Sequence, residues 1–348
     1  MAIKVIQMGL GSAGHRSAEV ILQKKSLELV GAVDVNPELV GRDIGDAFKL
    51  GRTTGVRITK DLDAALATPA DIVMHMVPTS TVKTGSWQGN VDEILRIVAT
   101  RKNVMTTTGA IYSWKRAANF ARQIDEAAKA NGVTVMGAGC NPGYMSEVLP
   151  LIVTGGMINV ERVSFSRGAD HTMYDSIQIC RETLGYGLTR EEFMERIEPP
   201  TRKFMESIFI ESIDLIAHVL EWEIDDFRSS LTPFLAGRDM RNICIEIKKG
   251  TVCAETFHLE GLRDGDPVIT MEWSGILSPR DMDGKGPQVG EHIVVEGYPS
   301  TRVEFLGDHP AMPLEVTAAV TTNYIPLVVA AHPGLRTMIE VGVPVLIR

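Results

Sequence analysis

The hydrophobic positions of this chain fall into two regimes. Up to about residue 145, short runs of branched apolar residues alternate with longer segments in which apolar residues recur every three or four positions. The short runs predict buried strands at 3–8, 28–33, 56–58, 70–77, 103–105 and 133–136. The longer segments predict helices at 12–25, 39–50 (broken by Gly41 and Gly45), 62–66, 91–101 and 115–131. Strand and helix in strict alternation predict a parallel sheet with helices on both faces.

From Ser146 the alternation stops. Helices are expected at 146–153, 175–184, 191–197 and 202–221, with a strand at 160–166. Two-residue alternation then predicts strands at 243–248, 252–259, 268–273 and, with breaks, 292–305. Lys249-Gly250 and Asp264-Gly265 read as hairpin turns, so this second sheet is expected to be open, mixed and largely antiparallel. Residues 314–331 predict a helix that is apolar on most faces, kinked at Pro326, and therefore buried back against the first domain. The expected fold class is α/β, with domains at 1–145, 146–310 and a returning segment at 311–348.

The first 34 residues carry the most specific signal. The strand ending at Met8 runs directly into Gly9-Leu10-Gly11-Ser12-Ala13-Gly14, a G-x-G-x-x-G that opens a helix. Gly9 permits the tight turn, Gly11 lets backbone approach a pyrophosphate, and Gly14 lets the helix lie close on the strand. The N–H groups of Ser12, Ala13 and Gly14 and the positive helix end then face the phosphates. The next strand ends at Asp34, placed to accept from a ribose hydroxyl. The carboxylate favours NAD over NADP, while Arg42 keeps NADP open as a second possibility. The fourth strand ends at Val77-Pro78-Thr79, where the nicotinamide ribose is expected, because ligands of such sheets lie beyond the carboxyl ends of strands.

Composition narrows the partners. The formal net charge of −9 argues against a nucleic-acid or anionic-lipid surface, so a small-molecule substrate is expected. Cys140, Cys180, Cys244 and Cys253 show no C-x-x-C spacing and read as free thiols in a reducing, cytoplasmic setting. No apolar run reaches the roughly 18 residues of a membrane span, and no histidine spacing predicts a metal site.

Candidate chemistry lies on loops at strand ends. Thr108 could hydrogen-bond a substrate without acting as a base, and the phenols of Tyr112 and Tyr144 could polarise a carbonyl. His171 beside Asp170 would titrate near neutrality, and Asn141 in an Asn-Pro-Gly turn could contact substrate or nicotinamide. Asn323 could reach the cofactor from the buried helix or satisfy backbone near Pro326. His75, inside the fourth strand, reads as a packed histidine with satisfied ring nitrogens.

The N-terminal fingerprint, Gly41-Arg42-Asp43-Ile44-Gly45, residues 139–144, residues 317–326 and Ala331-His332-Pro333-Gly334 together resemble the 2,4-diaminopentanoate dehydrogenase family and its amine dehydrogenase relatives. More distantly, the first domain is similar to dihydrodipicolinate reductase. The resemblance implies a Rossmann dinucleotide-binding domain, an α+β substrate domain, a homodimer and NAD(P)-linked chemistry on a C–N centre. It also implies an acidic residue before the Tyr-x-Trp matched by Tyr112-Ser113-Trp114, yet Thr108 and Gly109 stand there. An amine dehydrogenase is therefore the leading expectation. A carbonyl or C=C reductase and a silent dinucleotide sensor are the alternatives.

Overall fold

A computed structural model describes residues 1–80, 85–174, 177–282, 284, 286–307 and 312–348. The chain divides into two compact units, Met1–Tyr144 with Pro313–Arg348, and Met145–Met312. The expected boundary at 310/311 lies outside the described residues.

The first unit is built on six parallel strands from the N-terminal half: β1 (Ile3–Met8), β2 (Leu27–Val33), β3 (Ile58–Thr59), β4 (Ile72–His75), β5 (Asn103–Thr106) and β6 (Thr134–Gly137). Their spatial order is β6-β5-β4-β1-β2-β3, so the sheet reverses its direction of growth between β1 and β4. That reversal opens a crevice at the carboxyl ends of the two strands. Helices Gly14–Gln23, Gln88–Val98 and Ala118–Asn131 connect the strands and bury their apolar faces, with Val91, Ile94, Ile124 and Ala128 wholly inaccessible.

The end of the chain completes this unit. Helix Pro313–Ala330 packs on helix Gly14–Gln23, pinned by Arg16 Nε to Glu315 Oε1 at 2.8 Å. Pro326 lies inside that helix, whose buried residues include Ala318, Tyr324, Ile325 and Val328. Gly334–Arg336 then adds a seventh strand, parallel to β6. That strand was not expected from so short a segment. The buried Asp125 carboxylate explains it, since Oδ1 accepts the Leu335 N–H at 3.0 Å while Lys129 Nζ donates to Oδ2 at 2.7 Å.

The second unit is a six-stranded mixed sheet. Its strands are β7 (Asn159–Asp170), β8 (Asp226–Leu235), β11 (Val252–Arg263), β12 (Asp266–Ile276), β13 (Gly290–Tyr298) and β14 (Thr301–Phe305), while β9 (Met240–Arg241) and β10 (Glu246–Ile247) form a separate two-stranded ladder. In the order β14-β13-β7-β12-β11-β8 the β7–β12 pair is parallel and the others antiparallel, as the alternation predicted. Helix Glu198–Val219 covers one face through Phe209, Ile213 and Ile216. A buried ion pair, Arg167 Nη1 to Glu291 Oε1 at 2.7 Å, joins register partners of β7 and β13.

Three local expectations are corrected. The long strand at 243–248 shrinks to Glu246–Ile247, because Asn242 Oδ1 accepts the N–H groups of Cys244 and Ile245 and turns the chain. Lys249-Gly250 therefore does not join two strands of one hairpin, whereas Asp264-Gly265 does. β8 was not expected at all. It is an edge strand burying little beyond Leu231 and Pro233, so its apolar alternation is faint, and an edge is where a strand tolerates proline. The start of the helix expected at 175–184 lies outside the described residues, and Ile179–Thr183 forms a single wide helical turn.

Asp125→Ala leaves the Leu335 N–H buried without its acceptor, so the urea midpoint should fall by the equivalent of about 1–3 kcal/mol. An unchanged midpoint would show that the terminal strand needs no such anchor.

Candidate active site

The turn after β1 is made by close approach. Gly9 has φ +84°, and a Cβ there would stand 2.3 Å from the Met76 carbonyl oxygen. A Cβ on Gly14 would stand 2.0 Å from the Gly9 carbonyl oxygen. Neither position admits a side chain. Gly11 differs, because nothing lies within 4 Å of the place its Cβ would occupy, and it is exposed together with Ser12. Helix Gly14–Gln23 begins at Ala13 with no side-chain cap and no acidic residue in its first turn. Open space beside Gly11 and an uncapped positive helix end fit a dinucleotide pyrophosphate.

Asp34 is held at the end of β2. Its Oδ2 accepts the Leu10 N–H at 2.6 Å and its Oδ1 accepts the Asn36 N–H at 2.8 Å. Each oxygen keeps a lone pair for a ribose hydroxyl, and the first bond ties the carboxylate to the glycine turn. Arg42 is exposed and donates from Nη2 to the Asp46 carbonyl at 2.9 Å, beside a cavity of ≈ 340 Å³ lined by Gly41, Asp43 and Arg57. Asp43 organises that loop: its carboxylate accepts from Gly45, Thr54 and Gly55, and these bonds hold it below the usual carboxylate range against the cost of desolvation.

Val77 and Thr79 are half-buried and Pro78 is exposed, just past β4. The side chains at the carboxyl ends of β4 and β5 form a hydrogen-bonded series that the sequence reading missed. His75 and Thr106 are register partners, and His75 Nδ1 meets Thr106 Oγ1 at 2.9 Å. Thr106 Oγ1 meets Thr108 Oγ1 at 2.9 Å and accepts the Thr108 N–H at 3.1 Å. On the other side, His75 Nε2 contacts Glu93 Oε2 at 3.0 Å. Trp87 Nε1 donates to Thr108 Oγ1 at 3.4 Å and packs edge-on to Phe120. Only a polar residue closing an otherwise apolar strand signalled any of this.

Tyr112 and Trp114 are half-buried in the loop that follows. Asn141 has extended backbone, and both polar atoms of its amide are shielded from solvent without a hydrogen-bond partner among the described residues. A buried amide in that condition is expensive unless a ligand satisfies it. Tyr144 lies near Tyr324, a phenol that burial pushes above its ordinary range. Asn323 Oδ1 accepts the Ile347 N–H at 3.2 Å and so fastens the chain terminus. This backbone partner is Ile347 and not the kink at Pro326.

His171 also departs from expectation. It is buried, and desolvation together with the Arg167 charge lowers its pKa to about 4 despite the opposing field of Asp170. Its Nδ1 meets the Tyr186 hydroxyl at 2.8 Å. Burial likewise pushes the Tyr186 phenol and the Glu255 carboxyl well above their ordinary values, which favours the uncharged form of each. They converge on Gly275, where a Cβ would lie 2.3 Å from Glu255 Oε1 and 2.8 Å from the His171 ring. The near-neutral titration expected of an exposed histidine is thus lost to desolvation. Among the described residues, no group of His, Cys, Asp and Glu is placed to hold a metal, and the four cysteines are free thiols.

The unfolded chain protonates His171 below about pH 6.5, whereas the folded chain holds it neutral down to about pH 4. Stability contributed by this group is therefore present above pH 6.5 and lost as pH falls through that window. Between pH 8 and pH 5 the wild type should lose about 2 kcal/mol more than His171→Gln in parallel urea titrations. Equal losses would place His171 in contact with solvent.

Comparison with known proteins agrees with this architecture. Residues 3–136 match the N-terminal domain of dihydrodipicolinate reductase, and residues 144–348 match the 2,4-diaminopentanoate dehydrogenase C-terminal domain. The chain is 28% identical to 2,4-diaminopentanoate dehydrogenase of Acetoanaerobium sticklandii, over 98% of this chain and 94% of that one. It is 25% identical to an amine dehydrogenase of Streptomyces virginiae, over 97% and 96% of the two chains. The solved amine dehydrogenase of Mycobacterium smegmatis shares the fold, with a TM-score of 0.75 at 22% identity over 100% of this chain and 98% of that one. With its C-terminal domain matched across more than half of its length, the chain belongs to the 2,4-diaminopentanoate dehydrogenase family.

Proposed function

We propose that this protein is an NAD(P)-dependent oxidoreductase acting on a small amine or imine, with NAD as its cofactor. The observation that carries the reading is an intact, open glycine turn on a unit continuous with a 2,4-diaminopentanoate dehydrogenase C-terminal domain. Asp34 would hold the ribose, the backbone of Gly9, Gly11, Ser12, Ala13 and Gly14 the pyrophosphate, and Val77, Pro78 and Thr79 the nicotinamide end. Asp34 disfavours a 2′-phosphate, and Arg42 is the group that would admit one. A bound nicotinamide supplies or accepts the hydride, leaving the protein to orient the reacting carbon and balance its charge.

Thr108, Tyr112 and Asn141 are the polar groups assigned to that centre, with Trp114 and Tyr144 shaping the substrate pocket. A threonine where the family resemblance implies an acid keeps one alternative in play, a reductase of carbonyls on the same scaffold. The family resemblance also supports a homodimer, and the free thiols a cytoplasmic location. No helix among the described residues is long and apolar enough to cross a membrane.

With NAD and a panel of small primary amines and diamines, absorbance at 340 nm should rise. In the reverse direction, NADH oxidation by matching ketones should require ammonium. Consumption of NADH by ketones at the same rate with and without ammonium would replace the amine reading with carbonyl reduction.

A further inference from the structure

The series Glu93–His75–Thr106–Thr108 has a direction, and that direction determines what Thr108 can do. Glu93 Oε2 is a carboxylate oxygen with 38% of its side chain exposed, and it accepts. In the neutral imidazole, His75 Nε2, 3.0 Å away, then carries the ring proton and Nδ1 is an acceptor. The Thr106 hydroxyl, 2.9 Å from Nδ1, must donate to it. Having spent its single proton, Thr106 Oγ1 has two lone pairs, and both are used, one by the Thr108 N–H at 3.1 Å and one by the Thr108 hydroxyl at 2.9 Å. The Thr108 proton is thus committed inward. One of its lone pairs receives the Trp87 N–H at 3.4 Å, and one lone pair is left.

We propose that Glu93 and His75 are positioning residues that fix Thr108 Oγ1 as an outward acceptor, selecting substrates that present an N–H rather than a carbonyl oxygen. The proposal rests on the C–N reading above and deepens it. An ammonium, amine or iminium nitrogen donates hydrogen bonds, whereas a carbonyl oxygen needs a donor that Thr108 no longer has. His75 and Thr106 are inaccessible to solvent and Thr108 is only 8% exposed, so water cannot readily exchange the roles. Their place at the carboxyl ends of neighbouring strands β4 and β5 is where a bound nicotinamide and its partner would meet. An oriented lone pair is a weaker cation-stabiliser than a carboxylate, yet it supplies the same polarity.

Because the polarity is relayed from Glu93, it is reversible at a half-exposed position that reaches Thr108 only through His75 and Thr106. Lysine at 93 offers only donors, which makes Nε2 an acceptor, moves the ring proton to Nδ1 and turns each hydroxyl around. Thr108 then donates outward. Glu93→Asp keeps the acceptor and should keep the polarity.

The test uses ¹⁵N imidazole spectra at pH 8, with His75→Gln assigning the resonance. Wild type and Glu93→Asp should show His75 as the Nε2–H tautomer, and Glu93→Lys as Nδ1–H. In parallel, the ratio of kcat/KM for amine oxidation to kcat/KM for ketone reduction without ammonium should fall about 30-fold in Glu93→Lys, the scale of one hydrogen bond to a charged group. It should stay within about threefold in Glu93→Asp, and NADH affinity should stay unchanged in both. An Nδ1–H tautomer in wild type, or an unchanged ratio in Glu93→Lys, would overturn the proposal. If wild type turns over no amine, the C–N reading fails on its own, while the tautomer spectra still decide the direction of the series.

Discussion

The approach of three backbone segments at Gly9 is the constraint on which the rest of this molecule depends. The α-carbon of Gly9 lies against the Met76 carbonyl, and that of Gly14 lies against the carbonyl of Gly9 itself. These contacts set the helix Gly14–Gln23 directly on the end of β1 and bring the end of β4 beside it. Asp34, through its 2.6 Å bond to the Leu10 N–H, adds the end of β2 to the same knot. A hydrogen bond to a charged acceptor is worth about 1.5–3 kcal/mol, enough to order an exposed loop. From that packed floor the chain leaves one opening, at Gly11, and one uncapped helix end facing it. Glycine stands at positions 9 and 14 because a Cβ at either would collide with backbone, at the Met76 carbonyl and the Gly9 carbonyl respectively.

Two buried polar clusters show how different environments assign different work to similar groups. In the first unit, the Glu93–His75–Thr106–Thr108 series reaches solvent through one carboxylate, so each hydrogen-bonding role is dictated from that end. In the second unit, Glu255, Tyr186 and His171 have no such outlet. Desolvation favours the neutral form of each, and Gly275 supplies the room they occupy. The first cluster is organised by a charge at its edge. The second lies where burial opposes charge.

How much of this was legible in the sequence varied with how local the cause was. The glycine turn and Asp34 were readable, because each glycine answers to a contact within one strand-turn-helix unit. The second sheet was readable where strands are central and two-sided, as in β11 and β12, and invisible at β8, where an edge strand buries almost nothing. The strand Gly334–Arg336 depends on Asp125, more than two hundred positions earlier, so no local pattern announces it. His171 looked like a titrating loop histidine because Asp170 precedes it. Burial against Tyr186 and Trp273 is tertiary information and reverses that reading. His75 was read as packed and satisfied, which is true, but its partners Thr106 and Glu93 lie on other elements, and only they give it a direction.

The most direct test of the central claim is a fluorescence titration of NADH into wild type and Gly11→Val. Because Gly11 has open space around it, the substitution should leave the thermal midpoint within about 2 °C of wild type, the shift expected of a change well below 1 kcal/mol. NADH affinity should nevertheless fall by about 100-fold, on the order of 3 kcal/mol, as the side chain takes the space assigned to the pyrophosphate. Equal affinity in the two proteins would contradict the account, because the one opening in this packed turn would then hold no dinucleotide.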